Sequence, residues 1–481
     1  MSLEMKGLRS LRKLMIAKCE NLEYAGVEGL MHLEHLEFKG CDKLKSLVAN
    51  QEQHQVDPSR DEQVHHNITD LRSFAKLQIE SCNHLTTLPK KLLQSLKMLH
   101  IENFVYPMVL MKGIEELSLL QHLQIENCSN LEEFPKGIGQ LSSLQYFAIS
   151  GCPKLMFLSE EMQHWTSLQT LSVVSCANLR ALPCGIVELT SLHELEINGC
   201  DNLASLPDRI QELKSLQKLM IERCSYLMDL PDGLKYLSLL KEFEISSCNS
   251  LRSLPGEMQR LTSLEKLKIE GCDNLKILPD ELGNPSTLRV LAIIGCPKLQ
   301  TLPEGLRKLQ NLRILEITAC SNLTSLPSGL GDLSSLRSLY IQRCLKLTSF
   351  PENLQRMTSL QVLWLIECLK LKDLYTGLGF LSALEKLTIW GCHNLIKLFP
   401  GEDFLGIQAL NSLQELIISN CSKLQTLPYR LENLPSLKVL VIWKCPELES
   451  FENVVIELKE RKLRKLNIRD CPYLETIDDA S

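Results

Sequence analysis

The sequence predicts an α/β-type solenoid, a horseshoe in which about 19 short parallel strands line a concave sheet and a turn-rich convex back closes each coil. Three observations predict it. Leucine supplies 98 of the 481 residues while aromatics make up only 5%, an excess that points to a repeated unit rather than to one mixed core. Cysteines recur at a fixed interval: from Cys128 through Cys152, Cys176 and onward to Cys392, each lies 24 residues after the last. A common frame surrounds them, as in Leu288, Leu291, Ile293, Cys296, Leu299, Leu302, Pro303, Leu306 and Leu309.

That frame, LxxLxIxxCxxLxxLPxxLxxL, resembles a leucine-rich repeat. In its LxI segment apolar residues alternate with polar ones, the period of a strand with one buried face. With the ladder cysteine as position 9, positions 3, 5 and 7 face outward. Parallel strands at ~4.8 Å would carry 19 rungs along roughly 90 Å. The LPxxLxxL half forms the opposite wall, where proline cannot donate a ladder hydrogen bond and the period leaves room only for turns or one short helical turn. Cys19, Cys41 and Cys82 extend the frame upstream, Phe104 stands in for one cysteine, and Cys421, Cys445 and Cys471 extend it downstream, so that only Cys184 falls off the ladder. One self-similar unit therefore implies a single domain over 1–481, since solenoids grow by stacking. The period breaks at three places. A polar, aperiodic insert over 48–70 is expected to be a surface loop, the segment around LFPGEDFLGIQAL lengthens one repeat, and 472–481 form an acidic C-terminal end.

Composition narrows the chemistry. Net charge is −6, which disfavours nucleic acid as a partner because phosphate backbones select a basic stripe. No apolar run reaches the length of a membrane span, and the N-terminal stretch is charged where a secretion signal would be apolar, so the expected compartment is cytosol or nucleus. An odd cysteine count without such a signal argues against a disulfide framework. Neighbouring ladder thiols are held parallel, too far apart at Cβ to bond, and a linear column cannot surround a metal ion. They are expected to be buried and reduced, with Cys184 alone accessible. His54, His65 and His66 in the insert, with His32 and His35 nearby, read as a solvated histidine-containing loop. GLG at Gly329–Gly331 and Gly377–Gly379 lacks the continuation of a dinucleotide site. No nucleophile, acid/base pair or cofactor motif stands apart from the frame, so neither enzyme activity nor a cofactor is expected.

Function is then sought on the outward positions. Glu196, Glu222, Glu244, Glu270 and Glu316 form a candidate acidic track, continued upstream by Glu37, Glu80 and Glu126. Such a column could steer a basic partner. Further along, Tyr340, Trp364, Ile366, Trp390, Ile417, Val441 and Trp443 hold positions 5 or 7, flanked at position 3 by Val290, Ile314, Val362 and Val439. A solvated strand face would be polar, whereas a contiguous apolar patch marks an interface. These seven residues are the main candidate protein-contact site.

With LxxLxIxxC, LxxLP and CSNLTSLPSGLGDLSSLRSL as its style, the chain resembles the leucine-rich repeat region of plant intracellular nucleotide-binding disease resistance proteins of the coiled-coil type. The NxLxGxIP stretch of extracellular plant repeats is absent. The resemblance implies recognition of a pathogen effector, or of a host protein that it modifies, and restraint of an adjoining nucleotide-binding switch in cis or trans. No P-loop frame occurs in this sequence. Because Leu8, Leu11 and Leu14 are already in frame without a polar cap, a preceding segment is expected. The rival class is the substrate-recruiting subunit of a ubiquitin ligase, whose repeats also carry ladder cysteines; an F-box-like helical segment is absent and the LP signature differs.

Overall fold

The computed structural model describes residues 1–5, 8–27, 29–48, 73–86, 88–107, 111–283, 287–351, 353–374, 376–398, 410–427, 434–449 and 463–473. Most of the insert at 48–70, the extra length at 399–409 and most of the end at 472–481 lie outside the described residues. The chain forms two compact units, Met1–Leu227 and Met228–Ser481. Among the described residues no helix is long and apolar enough to cross a membrane.

In the first unit nine five-residue strands, from Lys13–Ala17 and His35–Lys39 through Met98–Glu102 and His122–Glu126 to Lys218–Glu222, pair in parallel in sequence order. Ten more do so in the second, from Glu242–Ser246 through Val362–Ile366 and Lys386–Trp390 to Lys465–Arg469. Each strand is the LxI segment of one repeat. Its Leu and Ile are buried and the residues around them are mostly half-exposed, as in Ile314–Thr318, so one face of each sheet lies on leucine and the other is open. Phe104 is fully enclosed at its ladder position, as the frame expects.

Strand exit is set by the residue before the ladder position. All 19 of these residues lie at positive φ: Gly40, Gly151, Gly199, Gly271, Gly295 and Gly391, and thirteen that carry a side chain, among them Ser175 at 52° and Ala319 at 54°. The left-handed conformation turns the chain down into the core, and the amide of that residue still donates to the next strand, as Gly295 does to the Thr318 carbonyl at 2.7 Å. The leucine three residues past the cysteine closes the turn on the cysteine carbonyl, Leu299 to Cys296 at 3.2 Å.

The back wall follows its prolines. Pro183, Pro231, Pro303 and Pro327, at φ between −64° and −68°, each precede a short 3₁₀ turn, the position where a missing N–H costs nothing. Adjacent turns are tied together by carboxylates: Glu304 accepts from the Ser328 and Gly329 amides at 3.0 and 3.3 Å. Gly331 belongs to packing rather than to a nucleotide site, because a Cβ there would lie 2.1 Å from the Asn353 carbonyl oxygen. At the beginning of the first unit Gly26 stands in the proline slot, seven residues past Cys19. The chain there stays extended: a small parallel sheet of Ser2–Glu4 with Tyr24–Gly26 forms on the back, and the Val27 amide donates to the Leu47 carbonyl at 3.2 Å.

All 19 cysteines are free thiols, seventeen of them buried. Sγ donates to the carbonyl two residues before it and, in several rungs, also to the preceding strand: Cys344 to Gln342 and Ile317, at 3.6 and 3.7 Å. Burial pushes the Cys82, Cys200 and Cys344 thiols up to about 12. One expectation is corrected: Cys19 sits on the ladder yet is exposed, like Cys184. It occupies the first rung, where no earlier ladder strand among the described residues covers it, and Sγ donates to the Ala17 carbonyl at 3.5 Å.

Maleimide labelling of the folded protein followed by peptide mapping should therefore modify Cys19 and Cys184 rapidly. The other seventeen are buried and should react only on unfolding, and raising the pH to 9 should not release Cys82, Cys200 or Cys344, because a thiol whose pKa is raised to about 12 stays protonated and inert there. Gly295→Val, which puts a β-branched residue at φ +62°, should lower stability by about 1–2 kcal/mol in chemical denaturation while leaving the circular dichroism spectrum unchanged.

Candidate functional site

The open face of the second unit brings the predicted apolar residues into two columns. In-register pairing sets Tyr340 opposite Trp364, Trp364 opposite Thr388, Thr388 opposite Ile417 and Ile417 opposite Val441. The parallel column runs Ile366, Trp390, Ser419, Trp443 and Arg469. Trp364 and Trp390 thus stand on neighbouring strands but in different columns. The Tyr340 and Trp364 rings meet edge to face, with centroids 5.0 Å apart at 75°, a geometry that holds both rings upright on the sheet. Trp364 and Trp443 are exposed, at 37% and 41% of their surface. Tyr340, Ile366, Trp390, Ile417 and Val441 are half-buried.

Two features of this face were not evident from the sequence. Ser419 lies between Trp390 and Trp443 in its column and is 3% exposed, its hydroxyl buried with no hydrogen-bond partner, so a small polar notch separates the two indoles. Trp443 is held from two sides: its Nε1 donates to Asp470 Oδ2 at 2.8 Å and the Lys444 ammonium stands 4.7 Å from its ring centroid. The fourth tryptophan, Trp165, belongs to the core of the first unit, where Nε1 donates to the Ile138 carbonyl at 2.9 Å.

The acidic track is more neutralised than its composition suggests. In the first unit Glu196 accepts from Ser172 at 2.7 Å, and Glu222 from Asn198 and Arg223 at 3.0 and 3.1 Å. In the second, Glu244 and Glu270 pair with Lys266 and Lys268, each at 2.5 Å, and Glu316 accepts from Thr318 at 3.3 Å. Lysine at neighbouring outward positions thus offsets part of the field. Sequence reasoning also passed over His100, which the register places beside Glu102 and Glu126.

Residues 267–398 match a family model described as a leucine-rich repeat region. The leucine-rich repeat domain of the type III effector XopL is 30% identical over 45% of this chain and 74% of that one, with a TM-score of 0.40. The chain is a leucine-rich repeat protein. A solved leucine-rich repeat protein of Leptospira interrogans is 25% identical over 79% of this chain and 93% of that one, with a TM-score of 0.50. The Toll receptor in the glycosylated Drosophila Toll–Spatzle complex is 17% identical, with a TM-score of 0.62; the match covers 98% of this chain and 58% of that one. The last shares the fold alone. Leucine-rich repeat domains are in general interaction modules rather than enzymes, and an open sheet face is the surface such a solenoid offers to a partner.

Because Leu363 is buried and Trp364 points outward on the same strand, the two should part company in denaturation experiments. Leu363→Ala should cost roughly 2–5 kcal/mol through the cavity it leaves. Trp364→Ala should cost less than about 1.5 kcal/mol, chiefly the edge-to-face pair with Tyr340.

Proposed function

We propose that this leucine-rich repeat protein is a protein-recognition module of plant innate immunity, acting in the cytosol or nucleus. It binds a pathogen effector, or the host protein that the effector modifies, and in doing so normally restrains a nucleotide-binding switch supplied in cis or in trans. The observation that carries the recognition role is the aromatic face of the second unit, where Tyr340, Trp364, Trp390 and Trp443 occupy four of five successive strands, with Ile417 on the remaining one and Ile366 and Val441 beside them. Five strands span about 20 Å between the outer two, the breadth of a compact protein epitope. Tryptophan and tyrosine bury large areas with few rotatable bonds, which is why they dominate interface energetics. The plant immune assignment rests on the likeness of the LxxLxIxxC and LxxLP frame to that family.

The test is the double variant Trp364→Ala/Trp390→Ala. Partners would be collected by proximity labelling in plant cells, and affinities then measured with purified proteins. The variant should keep the native circular dichroism spectrum and lose more than about 2 kcal/mol of binding, roughly thirtyfold in Kd. Native folding with undiminished affinity would move recognition to the acidic track.

A further inference from the structure

We propose that His100, Glu102 and Glu126, on the open face of the first unit, form a three-ligand site for a borderline divalent metal ion of the zinc class. The three side chains come from two adjacent strands, Met98–Glu102 and His122–Glu126. His100 Nε2 lies 3.6 Å from Glu126 Oε1 and 3.9 Å from Glu102 Oε2, and one donor atom from each residue falls within 4.8 Å of the other two. Tetrahedral zinc with bonds near 2.0–2.1 Å sets its ligand atoms ~3.3 Å apart, so the cluster closes on an ion through side-chain shifts of well under 1 Å for the histidine contacts. One imidazole with two carboxylates is a donor set suited to zinc and its first-row neighbours.

The surroundings make the cluster costly without a cation. His100 Nε2 is buried and has no hydrogen-bond partner, although two carboxylates face it. Glu102 and Glu126 are directly opposite each other in register, where like charges repel. Glu80, one strand earlier, is met by Lys39 at 2.6 Å. Among the described residues no lysine or arginine forms an ion pair with Glu102 or Glu126; His100 is their ion-pair partner, and Lys39, already engaged by Glu80, reaches Glu102 only at longer range. A dication would neutralise both carboxylates and satisfy Nε2 at once.

Supporting groups are also in place. Gln78 lies between His35 and His100, its amide 3.0 Å from His35 Nε2 and 3.3 Å from His100 Nδ1. An amide rotated by half a turn places its oxygen on His100 Nδ1–H and leaves Nε2 with a free lone pair, the tautomer that metal ligation needs. Gln124 donates to Glu126 Oε1, the oxygen that also faces His100, and so holds that carboxylate in place. On the next strand Ala148 and Ser150 face Gln124 and Glu126, and their small side chains leave the remaining coordination positions open to water or to a donor from a partner.

The test uses the full chain with Cys19→Ser and Cys184→Ser to remove the exposed thiols, titrated calorimetrically with zinc chloride and spectroscopically with cobalt(II). One equivalent should bind, with cobalt d–d bands and no thiolate charge transfer. His100→Ala, and independently the isosteric Glu126→Gln, should weaken binding at least tenfold with an unchanged circular dichroism spectrum. Joint replacement of His54, His65 and His66 by alanine should leave it unaltered. The proposal is overturned if saturable binding is absent below millimolar metal, if binding survives Glu126→Gln, or if it disappears with the insert histidines instead.

Discussion

Parallel pairing without offset is the constraint on which the rest of the molecule depends. In each unit the strands match residue for residue, Leu315 beside Leu339 and Glu316 beside Tyr340. A slip by one residue would turn every leucine of a strand to solvent and every outward side chain into the core. Because the leucines forbid that slip, outward residues are forced into straight columns. The chemistry of the open face is therefore a list of which side chains occupy positions 3, 5 and 7 of successive repeats. The Tyr340–Trp364 pair, the Ser419 notch and the His100 cluster all arise in this way, by bringing together residues of neighbouring strands that are 24 or more apart in sequence.

The devices that hold register are unevenly written in the sequence. Leucine spacing and the 24-residue cysteine period made the strands, the 19 rungs and the substitution of Phe104 legible before any coordinates. The left-handed residue ahead of each ladder position was not, because only six of those positions carry glycine while Arg223, Glu367 and Lys444 do the same work under strain. A propensity argument looks for glycine or asparagine and misses them. The chain tolerates the strain because the amide at these positions completes the strand pairing, as Glu367 does with the Trp390 carbonyl and Lys444 with that of Arg469, and the next residue is anchored in the core. The ladder thiol itself is a small apolar filler whose S–H satisfies carbonyls at the end of the strand, which suits cysteine where serine would need stronger partners.

The back wall shows the converse case, in which one slot of the repeat leads into two structures. With proline after the second leucine, as at Pro303 and Pro327, the chain leaves the pairing and winds into a 3₁₀ turn. With Gly26 in that slot the chain stays extended and strand pairing continues on the back. Reading the LP signature as uniform hid this difference, although the glycine was visible. Cys19 was misread for a related reason: a position within a repeat does not specify burial at the first rung, where a neighbour's cover is part of the environment.

The outward columns differ from the core in how well a sequence specifies them. A core position has one requirement, burial beside leucine, so its residue type identifies it. An outward position is constrained only by its neighbours across the strand, and those are known only once the register is. Given the register, an apolar or unbalanced column becomes informative, since beyond the Tyr340 pair of Trp364 and the Asp470 and Lys444 contacts of Trp443 the solvent-facing side of a parallel sheet gains little from three exposed or half-exposed tryptophans or from two facing carboxylates. Lysines close to Glu80, Glu244 and Glu270 show how the chain settles such charges where nothing else is to bind. The aromatic face of the second unit and the His100 cluster of the first are left unsettled by their own neighbours, and that local imbalance is the physical argument for ligands at both.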